Sequence, residues 1–324
     1  MSKRRASFMA AAVVLCLATS LPAFASAEGS FQRDLKVTGP VDLEVSTGSG
    51  NISVRTGSSD VVKVTGRIHA NEWWGGSAQE KVRKIEANPP IEQNGNVIRI
   101  GHIQDPELRR NISISYEVIV PAETHLRANT GSGDLGIDGI RGPAEVHTGS
   151  GSMKVAGLND TLHAETGSGD VDLERIKGSV RARTGSGSIR ALDISGGFDG
   201  ESGSGEIRLE QSAPGSVRVE TGSGNVEIKG VHGSLEARTG SGDVHAEGDA
   251  NGAWQVRTGS GSVELKLPTE ASFDLDAHTS SGRINMSRPV TVQGSLTRHE
   301  LRGKVGKGGP PVEIHTGSGD IEIR

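Results

Sequence analysis

The chain has 324 residues, a formal charge of −5, 47 glycines, a single cysteine and only 3% aromatic residues. Mild acidity with both signs scattered excludes the basic face that a nucleic-acid partner would need, and one cysteine excludes a disulfide framework. So few rings imply a thin core of aliphatic side chains between closely spaced walls.

Lys3, Arg4 and Arg5 precede an apolar run from Phe8 to Leu21, and Ala23-Phe24-Ala25 and Ala25-Ser26-Ala27 both fit a small-x-small cleavage site. That pattern predicts a secretory signal peptide over residues 1–27, too short and wrongly flanked for a membrane anchor. Cys16 follows Val13-Val14-Leu15, where a lipoprotein signal would want small residues, so it reads as a bystander removed with the leader. The mature chain is then exported, free of cysteine and without a transmembrane anchor.

Residues 28–125 carry a loose form of a pattern that later becomes regular. Thr47-Gly48-Ser49-Gly50 and Thr56-Gly57-Ser58-Ser59 stand nine apart, followed by Asn71-Glu72-Trp73-Trp74-Gly75-Gly76. A short helix is expected from Ala78 to Ala87, and strands over Val97–Ile103 and Ile112–Val120. This region reads as irregular first coils plus a cap, which covers an open end that would otherwise template aggregation. Adjacent residues of a strand point to opposite faces, so Trp73 and Trp74 offer a candidate contact patch for a sugar or a partner's pocket. The alternative is that both rings plug the end of the core.

Residues 126–286 hold the regular repeat. Thr-Gly-Ser-Gly begins at Thr130, Thr148, Thr166 and Thr184, eighteen residues apart each time. It returns at Ser202, Thr221, Thr239 and Thr258, degenerates at Thr279 and reappears at Thr316. Four residues before the threonine stand Leu162, Val180, Phe198, Val217, Leu235 and Trp254; five after it stand Val171, Ile189, Ile207, Val226, Val244 and Val263. Alternation of period two on both sides of a recurrent turn gives two short strands per unit, each with one buried face. The polar columns mostly alternate in sign from unit to unit (Arg181, Asp199, Arg218, Glu236), as parallel stacking about 4.8 Å apart would favour; Glu201 beside Glu220 and Arg238 beside Arg257 are exceptions. The fold predicted is all-β: a single-stranded β-solenoid with coils of about 18 residues, two main strands per coil and capped ends, a rod about 40–50 Å long. An antiparallel meander with the tetrads as hairpin loops is the competing geometry. The tetrad glycines are expected to supply positive φ, the inward threonines to link coils through their hydroxyls, and the residue after the tetrad to cap backbone amides. Residues 287–324 close the chain, Ser287–Pro311 as a loop and Val312–Arg324 as a last unit, so that 28–324 form one body.

The string Tyr116-Glu117-Val118-Ile119-Val120-Pro121, followed by Leu126 and by Thr130-Gly131-Ser132-Gly133-Asp134, and the ending from Gly306 to Arg324 resemble a large bacterial family of β-strand-repeat domains of unknown function. That family carries an adhesin label inferred from architecture. The resemblance covers nearly all of the mature chain. It implies a right-handed or mixed β-solenoid in the cell envelope and brings no catalytic residues with it.

Few residues invite a chemical reading. Asp134, Asp170, Glu206 and Asp243 follow the tetrad in every second coil, where a calcium-binding repeat would place an acid in each; capping of turns is the expected role. The ten histidines are scattered; His147, His278 and His315 share a repeat position, and all are expected to be solvated members of charge ladders rather than metal ligands. A β-helix hydrolase or lyase would need a local cluster of acids, bases or tyrosine, and Tyr116 is the only tyrosine. The expectation is therefore a non-enzymatic structural or adhesive element of the envelope, without cofactor or metal, whose partner is an envelope glycan or a surface protein. A carbohydrate-active β-helix enzyme or a calcium-binding repeat protein is the alternative.

Overall fold

The computed structural model describes residues 25–57, 60–72, 78–292 and 297–324. Two long sheets face each other, one of fourteen strands and one of fifteen among the described residues. Between residues 124 and 266 the chain alternates between them: Thr124–Ser132 lies in the second sheet, Leu135–Asp138 in the first, Ala144–Thr148 in the second, Met153–Ala156 in the first. Each strand pairs in parallel with the next strand of its own sheet, which removes the antiparallel meander. Ala144 faces Leu162, Leu162 faces Val180 and Val180 faces Phe198. Where a spacer gains a residue the pairing adjusts without losing register, as in Phe198 with Val217 and Leu235 with Trp254.

The central strands of the second sheet alternate between buried and solvent-facing positions, those of the first sheet do so except near their C-terminal ends, and the buried sets of the two sheets meet in one continuous core. Side-chain size is balanced from layer to layer. Phe198 fills space beside Gly200, where an added Cβ would lie 2.5 Å from the phenyl ring. Trp254 is fully buried, and its indole Nε1 donates to the Gly233 carbonyl at 3.0 Å, so that its polar edge is satisfied within the core.

The threonines point inward and are buried, as the alternation requires. Each hydroxyl donates to the carbonyl of the last tetrad glycine one layer below: Thr148 to Gly133 at 3.0 Å, Thr166 to Gly151 at 2.9 Å, Thr184 to Gly169 at 2.8 Å. The same oxygens accept from their own turns, with Gly169 N donating to Thr166 and Gly187 N to Thr184. A carbonyl and an amide, mostly half-buried under the next layer, are thereby satisfied by one side chain.

The tetrad glycines do not serve the role expected of them. Among the tetrads only Gly50 has positive φ. In the regular coils the left-handed residues are instead Gly139, Gly157, Arg175, Asp193, Gly230 and Ala250, all at the opposite corner of the coil. What forbids a side chain in the tetrad is stacking: a Cβ on Gly131 would stand 2.5 Å from the Gly48 carbonyl oxygen, and one on Gly149 2.5 Å from that of Gly131. The second glycines of the tetrads are tighter still against the layer below.

Both ends depart from sequence order. Val41–Ser49 and Ile52–Thr56 form a layer on which Thr124–Ser132 and Leu135–Asp138 stack, so Thr47 faces Thr130 and Ile52 faces Leu135 across a long excursion of the chain. That excursion builds the cap. Ile112–Val120 adds to the first sheet in parallel, Val61–Glu72 and Ala25–Lys36 follow antiparallel, and the hairpin Ile91–Asn94 with Val97–Ile100 borders the second sheet. Helix Ala78–Ala87 forms where expected and lays Ala78, Val82 and Ile85 on the cap, the spacing of a single helical face.

At the other end, the last unit was expected to follow the Thr279 unit. It is inserted before it. Val312 pairs with Trp254 on one side and with Leu275 on the other, and Ile321 pairs with both Val263 and Ile284. Glu300–Val305 and Val290–Val292 then cover the second sheet antiparallel. Pro311 enters at the first position of its strand, where a missing amide is tolerated.

The steric role of the tetrad glycines separates two substitutions at the same motif position. Gly48 has open space where its Cβ would be, whereas Gly131 meets a carbonyl. Gly131→Ala should cost about 1–3 kcal/mol in urea unfolding, while Gly48→Ala leaves the midpoint nearly unchanged; equal effects would remove stacking as the reason for glycine.

Candidate binding face

The outward positions of the second sheet carry acids, bases and histidines in regular columns. Two residues per strand project there, three and one before the threonine, and parallel register turns each into a column. Opposite charges meet across the ladder in Arg127–Glu145 at 3.4 Å, Arg181–Asp199 at 3.0 Å, Arg183–Glu201 at 3.2 Å and Arg218–Glu236 at 3.4 Å. The like-charged neighbours resolve by pairing along their own strands: Glu220 turns to Arg218 and Arg238 to Glu236. These contacts are exposed and each contributes little to stability; their effect is to neutralise the face locally.

Beside the charged column runs a groove of about 1370 Å³. One small residue per coil lines it (Thr161, Ser179, Gly197, Ser216, Ser234), next to the row Glu145, His163, Arg181, Asp199, Arg218 and Glu236. The cause lies in the sequence: the residue just before each strand sits at the corner preceding an inward apolar side chain, and small side chains there leave the charged column standing above a channel.

Adjacent coils also place a Glu-x-His and a His-x-Glu segment on one another, so that acid faces base at both positions. Glu145 faces His163 and His147 faces Glu165. His147 Nε2 lies 3.2 Å from Glu145 Oε1, His147 Nδ1 lies 3.6 Å from Glu165 Oε2, and His163 Nε2 lies 3.8 Å from the same Glu165 oxygen. The hydrogen bond from His147 holds the Glu145 carboxyl below the usual carboxylate range. His278 and His315 also become neighbours, with ring centres 6.1 Å apart, because of the inserted last unit.

Trp73 and Trp74 lie outside the described residues. The carboxylates after the tetrads are engaged, and in a way the sequence did not suggest. The three aspartates accept from the amide at the same position of a neighbouring coil: Ser152 N donates to Asp134 at 3.0 Å, Ser188 N to Asp170 at 2.8 Å, Ser262 N to Asp243 at 2.8 Å. Asp134 and Asp170 stand two coils apart, about 10 Å from the strand spacing, too far to share a cation. Tyr116 is buried in the cap wall with its ring 6.4 Å from that of Phe31, and burial pushes its phenol above its ordinary range. No helix among the described residues is long and apolar enough to cross a membrane.

The family model Toastrack DUF4097 matches residues 32–196 and again residues 184–324. No curated protein matches the chain. Three solved structures resemble it over most of both chains: a candidate cell-adhesion protein of Clostridium sporogenes (12% identity, 92% of this chain and 99% of that one, TM-score 0.25), and candidate adhesins of Bacteroides fragilis (13%, 91% and 97%, 0.30) and Parabacteroides distasonis (10%, 91% and 97%, 0.31). At these TM-scores the likeness carries no inference of function.

The use of Asp170 as a coil-to-coil acceptor has a direct consequence. Asp170→Ala should lower stability by about 1 kcal/mol, Asp170→Asn by less, and millimolar calcium should leave the melting temperature of the unaltered protein where it was. A rise with calcium that Asp170→Asn abolishes would make these carboxylates a cation site.

Proposed function

The chain belongs to the Toastrack DUF4097 family, and we propose that it serves its cell as an exported, non-catalytic β-solenoid whose grooved face binds an extended polymer of the cell envelope. On this reading residues 1–27 contain a secretory signal, and coils of about eighteen residues with two strands each build one body from the cap to the closing strands. The strand Ala25–Lys36, with Ala27 buried against the cap, favours the upstream of the two cleavage sites, which leaves that strand nearly whole.

The observation that carries the reading is the groove. Its lining repeats once per coil, about 4.8 Å apart, close to the advance of one pyranose unit along an extended glycan. Hydroxyls and paired charges line its rim above a floor of aliphatic side chains, and its one phenyl ring, Phe198, is buried and offers no stacking face, which suits a polar or charged glycan held by hydrogen bonds. Trp73 and Trp74 would add a stacking contact at the cap end. Along most of this face each acid is matched to a neighbouring base, the exception being Glu145 and Glu165 gathered about His147 and His163, and Tyr116 is buried where it cannot act as a base, which supports binding without turnover.

A screen of the mature protein against envelope glycans and sedimented peptidoglycan should find a retained polymer. Ser179→Trp with Ser216→Trp, which fills the channel from within, should abolish retention with an unchanged melting temperature. No retained glycan, retention indifferent to the filled groove, or release of new reducing ends would contradict the proposal.

A further inference from the structure

We propose that His147, His163 and Glu165 form a binding site for a divalent transition-metal ion of the zinc or copper type on the outer face of the second sheet. Their donor atoms all lie within 4.8 Å of one another. Bonds of about 2.1 Å at tetrahedral angles set donors about 3.4 Å apart, so the separations of 3.6 and 3.8 Å to Glu165 need only small rotations. The imidazole side chains are about a third exposed, at 32% and 35%, free to make that adjustment and open to solvent. Two neutral imidazoles and one carboxylate are a donor set suited to such ions rather than to calcium or magnesium.

Three further features support the assignment. His147 directs Nε2 to Glu145 and Nδ1 towards the site, the arrangement in which a carboxylate behind a histidine fixes the ring and its tautomer for a metal in front. Glu165 has only the two imidazoles as ion partners among the described residues, because the nearby cations are occupied elsewhere: Arg181 by Asp199 and Arg183 by Glu201. The ligands also sit on two adjacent central strands of a sheet, which holds their Cα positions fixed before any ion arrives. Three protein ligands leave a coordination position for water or for a group of a bound polymer, and His163 borders the groove. The ligand set does not depend on the groove's being used.

The test is zinc binding by the full mature chain without an affinity tag, in competition with a chromophoric chelator at neutral pH. One zinc ion per chain is expected. His163→Gln and Glu165→Gln should each weaken binding by about tenfold or more with unchanged circular dichroism and melting temperature. His278→Gln with His315→Gln should leave it unaltered. Copper loaded in place of zinc should show two coordinated imidazole nitrogens by electron paramagnetic resonance, and one in His163→Gln. Zinc affinity no higher than that of the His147→Gln, His163→Gln double variant, or lost equally on removing His278 and His315, would overturn the site.

Discussion

The constraint on which the molecule depends is the direct contact between the backbone of one tetrad and the backbone of the next. The Gly131 carbonyl occupies the place where Gly149 would carry a Cβ, and the same relation recurs at Gly167 and Gly185. The second glycine of each tetrad is pressed closer still, with its carbonyl half-buried under the next layer. The threonine hydroxyl of the next coil reaches that carbonyl, Thr148 to Gly133 and Thr166 to Gly151, and the cost of an unpaired polar group is avoided. Glycine permits the approach and a hydroxyl makes it tolerable, a part that Ser202 plays as well as the threonines do. The Asp, Asn or Ser column after the tetrad adds a third link between the same layers, from carboxylate or amide to backbone N–H.

A layer defined by contact need not come from the next stretch of chain. Thr47 and Thr316 take the ladder position of the central threonines, Thr316 donating to the Gly261 carbonyl and Thr47, in the end layer, to that of Ile114, and each occupies a place in the stack far from its neighbours in sequence. At the N-terminal end this leaves a long excursion from which the cap is built. At the C-terminal end it locks the last residues between two layers, and the outer layer is then covered by antiparallel strands that shield its edge.

Much of this was legible. The apolar columns gave the inward faces, the polar columns gave parallel register, and helix Ala78–Ala87 and strand Ile112–Val120 follow their periodicities. Three things were not. The tetrad glycines looked like turn residues because glycine at a corner has two possible causes, conformation and close approach, and only the second depends on another part of the chain. The order of the last two layers was hidden because the Thr279 and Thr316 units carry equivalent patterns, and sequence proximity favoured the wrong one. The cluster at His147 escaped because histidines were compared within one column, whereas His163 lies in the adjacent column of the next coil. The sign was present as Glu145-x-His147 followed eighteen residues later by His163-x-Glu165.

A rod assembled this way presents repeated small features rather than a single cleft, and both the groove and the histidine pair arise from positions that the core leaves free. The central claim is that contact geometry, not chain order, decides which unit lies on which. Cysteine pairs placed on the outer column test it, in a chain with Cys16 replaced by serine. Arg257 faces His315, and His315 faces His278. On oxidation, Arg257→Cys with His315→Cys and His315→Cys with His278→Cys should each form a disulfide, while Arg257→Cys with His278→Cys should not, being two layers apart and beyond disulfide reach. Ready cross-linking of the 257 and 278 pair, with none between 257 and 315, would mean that the units stack in sequence order and would contradict the account.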